Sequence, residues 1–309
     1  ENRMAPRTLT AGQRSELWVH DLETGTGTLR HTSTDLLVEA PNWTPDGRWL
    51  IVNGDGRLLR IAAEGAASDD PRDYTEIDRG GIPTLNNDHV LSPDGQTVYV
   101  SADDGHIYAV PLRGGHARRI TNTTPPGLLH FLHGVSPDDA TLAYIGLQFV
   151  DPADWTAGFT TDIYTIPTAG GPDVKLTDGG TQHDGCEYAP SGEFLWFNSE
   201  RASSRPGHAQ LFRLRLADGA IDQLTHDERV NWFPHVSPDG RRVVYISFPP
   251  GTLGHPADLD VILKELLPDG TTRDLVHLPG GQGTINVNSW APDSRRFAYV
   301  RYPSDRPLP

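Results

Sequence analysis

A four-residue turn recurs six times along the chain, and that recurrence leaves few folds open. It reads "TPDG" ending at Gly47, "SPDG" at Gly95, "SPDD" at Asp139, "APSG" at Gly192, "SPDG" at Gly240 and "APDS" at Ser294. Its prolines, Pro45, Pro93, Pro137, Pro190, Pro238 and Pro292, stand 48, 44, 53, 48 and 54 residues apart. Periods of this size belong to sheets repeated around an axis. Pro presets φ, Asp bonds the local backbone and Gly accepts positive φ, so the tetrapeptide reads as a tight turn.

Each turn leads into an alternating apolar or aromatic run: "WLIVNG", "TVYVSA", "TLAYIG", "FLWFNS", "VVYIS" and "FAYVRY". Period-two patterning of this kind marks β-strands. A second series follows, with "RLLRIAA", "HIYAVPL", "DIYTIPT", "QLFRLRL" and "VILKELL", and polar closing segments such as "GGHARRIT" and "GGPDVKLT" come after it. Each unit therefore holds four strands, a to d, with the turn between a and b. The first unit departs most, since the acidic "EGAASDDPRDYTEID" stands where its closing strand is expected.

The ends of the repeat fix the count. The chain begins with an unmatched c–d pair, "LWVHDL" and "TGTLRHT", and the last repeat stops after strand b near Tyr302. One unit is then assembled from both ends, which closes a ring and removes two exposed sheet edges. The expectation is an all-β, six-bladed propeller of four-stranded antiparallel blades. It forms one domain over 1–309, with repeats from about 15 to 302.

Composition agrees with a turn-rich globular chain. There are 32 glycines and 26 prolines in 309 residues, well above ordinary usage. No apolar run approaches a membrane span. The net charge of −15 argues against a nucleic-acid partner, because phosphate binding needs a basic field. The single cysteine, Cys186, excludes an internal disulfide. The compartment stays open: cytoplasmic, or periplasmic or secreted with a leader removed. A monomer is expected.

The stretch "SPDGQTVYVSADDGHIYAVPLRGGHARRIT", Ser92 to Thr121, resembles the WD40-like repeat of the bacterial TolB-like β-propeller family, and the likeness runs through nearly the whole chain. The resemblance implies the six-bladed fold and is silent on activity. Propellers of this type serve as protein-interaction modules, as gating domains of peptidases and as scaffolds of sugar lyases. Resemblance to oligogalacturonate lyases would imply a histidine base beside a histidine-rich metal site. The clustered late histidines of that pattern are missing, since the sixth blade offers Gln282, Asn286 and Asn288 instead.

Topology sorts the polar residues. Strand a is innermost, so its first residues ring one mouth of the axial channel, on the face opposite the "SPDG" turns, where propellers usually bind ligands. These strand starts are unusually polar: "NNDHVL" (Asn86, Asn87, Asp88, His89), "HFLHGV" (His130, His133), "QHDGCEY" (His183, Asp184, Glu187), "NWFPHV" (Asn231, Trp232, His235) and "GGQGTINVNSW" (Gln282, Asn286, Asn288). Glu39 and Asn42 contribute from the first blade. Long b–c loops bring Trp155, Phe159, Glu200, Arg201, Arg205, His208 and His255 toward the same face.

Two chemistries follow. Histidines and carboxylates from neighbouring strands suit a divalent ion such as Mn, Zn or Ca, with His89, His130, His133, His183 and His235 as donors. A small polar, carbohydrate-like ligand or oligosaccharide would meet Asn86, Asp88, His130, Glu187, Asn231, Trp232, Arg201, Gln282 and Asn286. If the chain is a sugar lyase or hydrolase, His183 and His235 are the expected acid–base residues. Each histidine has a second physical reading, a hydrogen bond to the backbone of the next blade. A protein-interaction role like that of TolB is the third expectation. A paired-carboxylate glycosidase and a serine peptidase are disfavoured: Asp184 and Glu187 lie three apart on one strand, and no G-x-S-x-G occurs.

Overall fold

The computed structural model describes residues 7–305, apart from 124, 152, 155, 156 and 179, and it is a closed six-bladed propeller. Blade one pairs Val38–Trp43, Trp49–Gly54, Arg57–Ala62 and Tyr74–Glu76 in order from the axis outward. Blade two pairs Leu85–Leu91, Thr97–Ala102, Ile107–Pro111 and Arg118–Arg119. Blade three pairs Leu129–Val135, Thr141–Phe149, Phe159–Pro167 and Val174–Lys175. Blade four pairs His183–Tyr188, Phe194–Ser199, Gln210–Arg215 and Ile221–Gln223. Blade five pairs Val230–Val236, Val243–Phe248, Leu259–Leu266 and Thr272–Gly280. The acidic segment of blade one does end in a short closing strand, Tyr74–Glu76, which pairs with Arg57–Ala62.

Blade six joins both ends of the repeat, as the unmatched strands require. Arg296–Arg301 pairs with Ser15–Asp21, which pairs in turn with Thr26–Ser33. Its innermost place is taken by an irregular segment that makes a bridge from Trp290 to Phe297. The Glu16 carboxylate bonds Arg14 and Arg301 across the closure.

The repeated turn works as its composition dictates. Ser92 donates to Asp94 at 2.6 Å and accepts from the Thr97 amide at 3.0 Å. Thr44, Ser136 and Ser237 make the same 2.6 Å bond to Asp46, Asp138 and Asp239. The fourth residue has positive φ throughout the series, including Asp139 (57°) and Ser294 (56°), where glycine is replaced.

Apolar side chains fill the wedges between blades, and polar groups clamp the inner strands. Asn53 reaches the Asn86 carbonyl, Ser101 accepts from the Leu132 amide, Thr161 from the His183 amide and Asn198 from the Phe233 amide. His235 donates to the Ile285 carbonyl at 2.7 Å, and the Tyr302 hydroxyl closes the circuit on the Val38 carbonyl at 2.9 Å. Glu187 is the most heavily used clamp. It accepts from the Val236 amide at 3.0 Å, from Asn288 Nδ2 at 2.6 Å and from His235 Nδ1 at 2.6 Å. Asn42 does the equivalent work between blades one and two, accepting from the Leu91 amide at 2.9 Å.

These clamps generate a prediction. Glu187→Ala leaves the buried Val236 amide and His235 Nδ1 without this acceptor, so unfolding in urea should show a loss of about 3–5 kcal/mol. Asn42→Ala should cost less, about 1–3 kcal/mol, because a neutral acceptor is removed.

Candidate functional site: a charged cluster on the propeller axis

The inner strands are not regular. Pairing registers shift between Glu39 and Asn42, Leu85 and His89, Leu132 and Gly134, Asp184 and Glu187, and Trp232 and His235. Three of these bulges carry a positive φ at the same place in the repeat: Ala40 (51°), Gly185 (62°) and Phe233 (51°). A β-bulge re-aims the neighbouring side chains. The residues just before the three positive-φ positions, Glu39, Asp184 and Trp232, are among those that reach the axial mouth.

Five blades meet there. His133 Nε2 lies 2.9 Å from Asp184 Oδ1, with its ring stacked on Phe233 at 5.8 Å. Asp88 faces the same imidazole, and the Asn286 carbonyl approaches it from across the channel. His255, from the long b–c loop of blade five, sits 3.6 Å from Asp184 Oδ2 and packs on Trp232 at 4.5 Å and Phe233 at 5.2 Å. Its Nδ1 bonds the Gln282 side-chain oxygen, which also accepts from Asn286 at 3.0 Å. Asn86 holds Asp88 through Oδ2 at 3.0 Å and accepts its amide at 2.9 Å.

The electrostatics divide these groups. Burial works against charge on His133, but Asp88 and Asp184 outweigh it and raise its pKa to about 9. Burial also opposes charge on Asp184, yet the His133 hydrogen bond and charge hold that carboxyl below the usual range. Burial pushes Asp88 up to about 6 and pushes His255 down. The centre thus holds an imidazolium, a carboxylate, a carboxyl that titrates near neutrality and a neutral imidazole. Groups pushed apart in this way are the raw material of acid–base chemistry.

The other expected residues sit elsewhere. His89 is buried, with its two nitrogens on the Asn87 and Ile51 carbonyls at 3.2 Å each. His130 bonds the Gly105 carbonyl at 2.6 Å and packs tilted against Tyr144 at 5.0 Å. His183 packs edge-on against Phe197, and burial lowers its pKa to about 4. His235 and Glu187 are the inter-blade clamp. Asn231 is buried, bonded to Gln210, Thr225, Asp227 and Ser247. Arg201 is exposed, and Arg205 pairs with Glu228 at 2.7 Å. Trp155 lies outside the described residues.

The five histidines expected as metal donors therefore do not converge. His133 reaches the axis, while His89, His130 and His235 follow their second reading as bonds to neighbouring backbone. Among the described residues, no three His, Cys, Asp or Glu side chains are placed to hold a metal ion. A metal ion at the axial group would have to displace the proton that Asp88 and Asp184 favour on His133.

Asp184 and His255 carry the centre together with His133. The sequence placed both on the right face but gave them no role. Arg7 lies outside the repeat and carried no signal. Its guanidinium nevertheless enters the mouth, bonding Glu39 at 3.1 Å, the Gln282 carbonyl at 2.6 Å and Asp258 at 3.0 Å.

No protein-family model matches the chain. An uncharacterized protein of Agrobacterium fabrum is 37% identical over 275 residues, which span 87% of this chain and 86% of that one. A solved structure from Agrobacterium tumefaciens, provisionally assigned as TolB, superposes with a TM-score of 0.82 at 34% identity, covering 96% of this chain and 99% of that one. The chain belongs to the TolB-like β-propeller family. An oligogalacturonate lyase in complex with manganese shares the fold with this TolB-like chain at a TM-score of 0.56 and 16% identity, covering 86% and 74% of the two chains. Among the described residues no helix is long and apolar enough to cross a membrane.

The axial charges make stability depend on pH. The folded-state pKa of His133, about 9, exceeds the ordinary histidine value of about 6.5. Its contribution is complete below about pH 6.5 and is lost as the pH rises through 9. Thermal unfolding should show Tm falling between pH 6.5 and 9 in the wild type, with a flatter profile in His133→Gln.

Proposed function

We propose that this TolB-like propeller binds a small polar, carbohydrate-like molecule at the axial mouth. The observation that carries the reading is the convergence of Asp88, His133, Asp184, His255 and Asn286 from five blades, beside the aromatic wall of Trp232 and Phe233. Trp232 Nε1 is buried and has no hydrogen-bond partner among the described residues, so the wall keeps an unused donor. A concave polar centre with aromatic walls and displaced pKa values is the usual form of a small-molecule site.

A lyase or hydrolase reading would draw its base from His255, not from His183 or His235. His255 is about 29% exposed and is neutral because burial lowers its pKa, whereas both nitrogens of His235 are committed to Glu187 and Ile285. The manganese of the oligogalacturonate lyase gives metal dependence a place among the tests, though the donor geometry argues against a resident ion.

Calorimetric titration with a panel of neutral, acidic and amino sugars should show saturable binding of one class at one site per chain. His255→Ala and Trp232→Phe should weaken it at least tenfold with little change in Tm. Added Mn should leave Tm unaltered. Silence across the panel would remove the reading, and a large Mn-dependent rise in Tm would restore the metal site.

A protein partner is the second reading, favoured by the apolar tips of the b–c loops. Val150 and Leu253 are 66% and 69% exposed. Leu253→Glu should abolish such a partnership and leave sugar binding intact.

A further inference from the structure

The mouth holds a second arrangement beside the His133–Asp184–His255 centre. The Arg7 guanidinium lies 4.0 Å over the Tyr302 ring, between the Glu39 and Asp258 carboxylates, with the Gln282 carbonyl as a third acceptor. The walls come from separate parts of the ring: Glu39 from blade one, Asp258 from the blade-five loop, Gln282 from blade six, and Tyr302 from the segment after it. Three of the four walls are fixed independently of Arg7. The Tyr302 hydroxyl bonds the Val38 carbonyl, Asp258 also accepts from Gln13 at 2.7 Å, and Gln282 donates its amide to the Pro256 carbonyl at 3.1 Å. Gly283, with φ of 87°, lets the backbone lie against Tyr302 and Glu39, where any Cβ would overlap both.

This is a cage for a flat cation. Two carboxylates and a carbonyl match the in-plane donors of a guanidinium, and the aromatic face takes its flat side. Burial disfavours the charged form of Glu39, and the cation in the cage opposes that effect. The occupant present is imperfect, since Arg7 Nε is buried without a hydrogen-bond partner among the described residues. The surrounding charge points the same way: Asp88 and Asp184 face the same mouth, and His133 offsets one of them. An anionic sugar acid would enter against that field.

We propose that the axial mouth recognises a polar molecule bearing a guanidinium group, and that Arg7 occupies the cage as its internal stand-in. The proposal rests on the mouth being the ligand site and names the charge class of the ligand. Gln282 joins the two halves: its carbonyl serves the cage and its side chain bonds His255. A cationic group in the cage therefore places the rest of the molecule over His255 and Trp232. Because Arg7 must leave first, apparent affinity is reduced by the fraction of molecules in which the cage is filled.

The test uses agmatine and its isostere N-carbamoylputrescine, which keeps the primary ammonium but carries a neutral urea in place of the guanidinium, titrated into wild type, Arg7→Ala and Arg7→Gln. Both variants should bind agmatine at least tenfold more tightly than wild type and gain nothing for the isostere. Adding Glu39→Gln to Arg7→Ala should abolish the gain. Two variants with wild-type Tm and no gain for agmatine, or an equal gain for both probes, would overturn the proposal. Binding of a neutral or acidic sugar to Arg7→Ala without agmatine binding would keep the mouth as a site and sink the cation cage. Agmatine binding that ignores His255→Ala and Trp232→Phe would support the cage and remove the larger site.

Discussion

Ring closure is the constraint on which everything else in this molecule depends. Ser15–Asp21 must lie beside Arg296–Arg301 for the sixth blade to exist. Once it does, six inner strands are forced around one axis, and whatever their first residues carry is pressed together. In most blades a small or apolar residue would meet that demand. Here Glu39, Asp88, His133 and Asp184 meet it, so the closed ring concentrates charge where solvent is scarce.

That concentration is tolerated because the chain supplies its own cations. Buried charges are costly unless they are paired and hydrogen-bonded. The His133 imidazolium answers Asp88 and Asp184, and the Arg7 guanidinium answers Glu39 and Asp258. Farther along the axis, Glu187 is answered by three donors from the two following blades. The lyase in complex with manganese shares the propeller fold at 16% identity. The fold alone therefore does not carry the chemistry across.

Much of the fold was legible in the sequence because its signals are local. The Ser–Asp bond of the "SPDG" turn, the alternation of "TVYVSA" and the unmatched strands at the two ends each follow from neighbouring residues. The site was legible only in part. Strand position put Asp88, His133 and Asp184 near the mouth, but alternation alone could not place His183, Asn231 or His235. The bulges break alternation, and only one of the three positive-φ positions, Gly185, is of a residue type that announces it. Phe233 takes φ of 51° while its amide donates to the Asn198 side chain, a long-range contact no local pattern encodes. Arg7 was invisible for the same reason, since its partners are remote in sequence.

The central claim is that the closed ring holds a protonated His133 between two carboxylates on its axis, while the buried His89 and His183 are neutral. A ¹⁵N NMR titration of the imidazoles, assigned with His133→Gln, tests this directly. The account predicts that His133 keeps both ring protons through neutral pH and titrates near 9, while His89 and His183 stay neutral until about pH 4. Titration of all three together between pH 6 and 7, the range of an unperturbed imidazole, would contradict it.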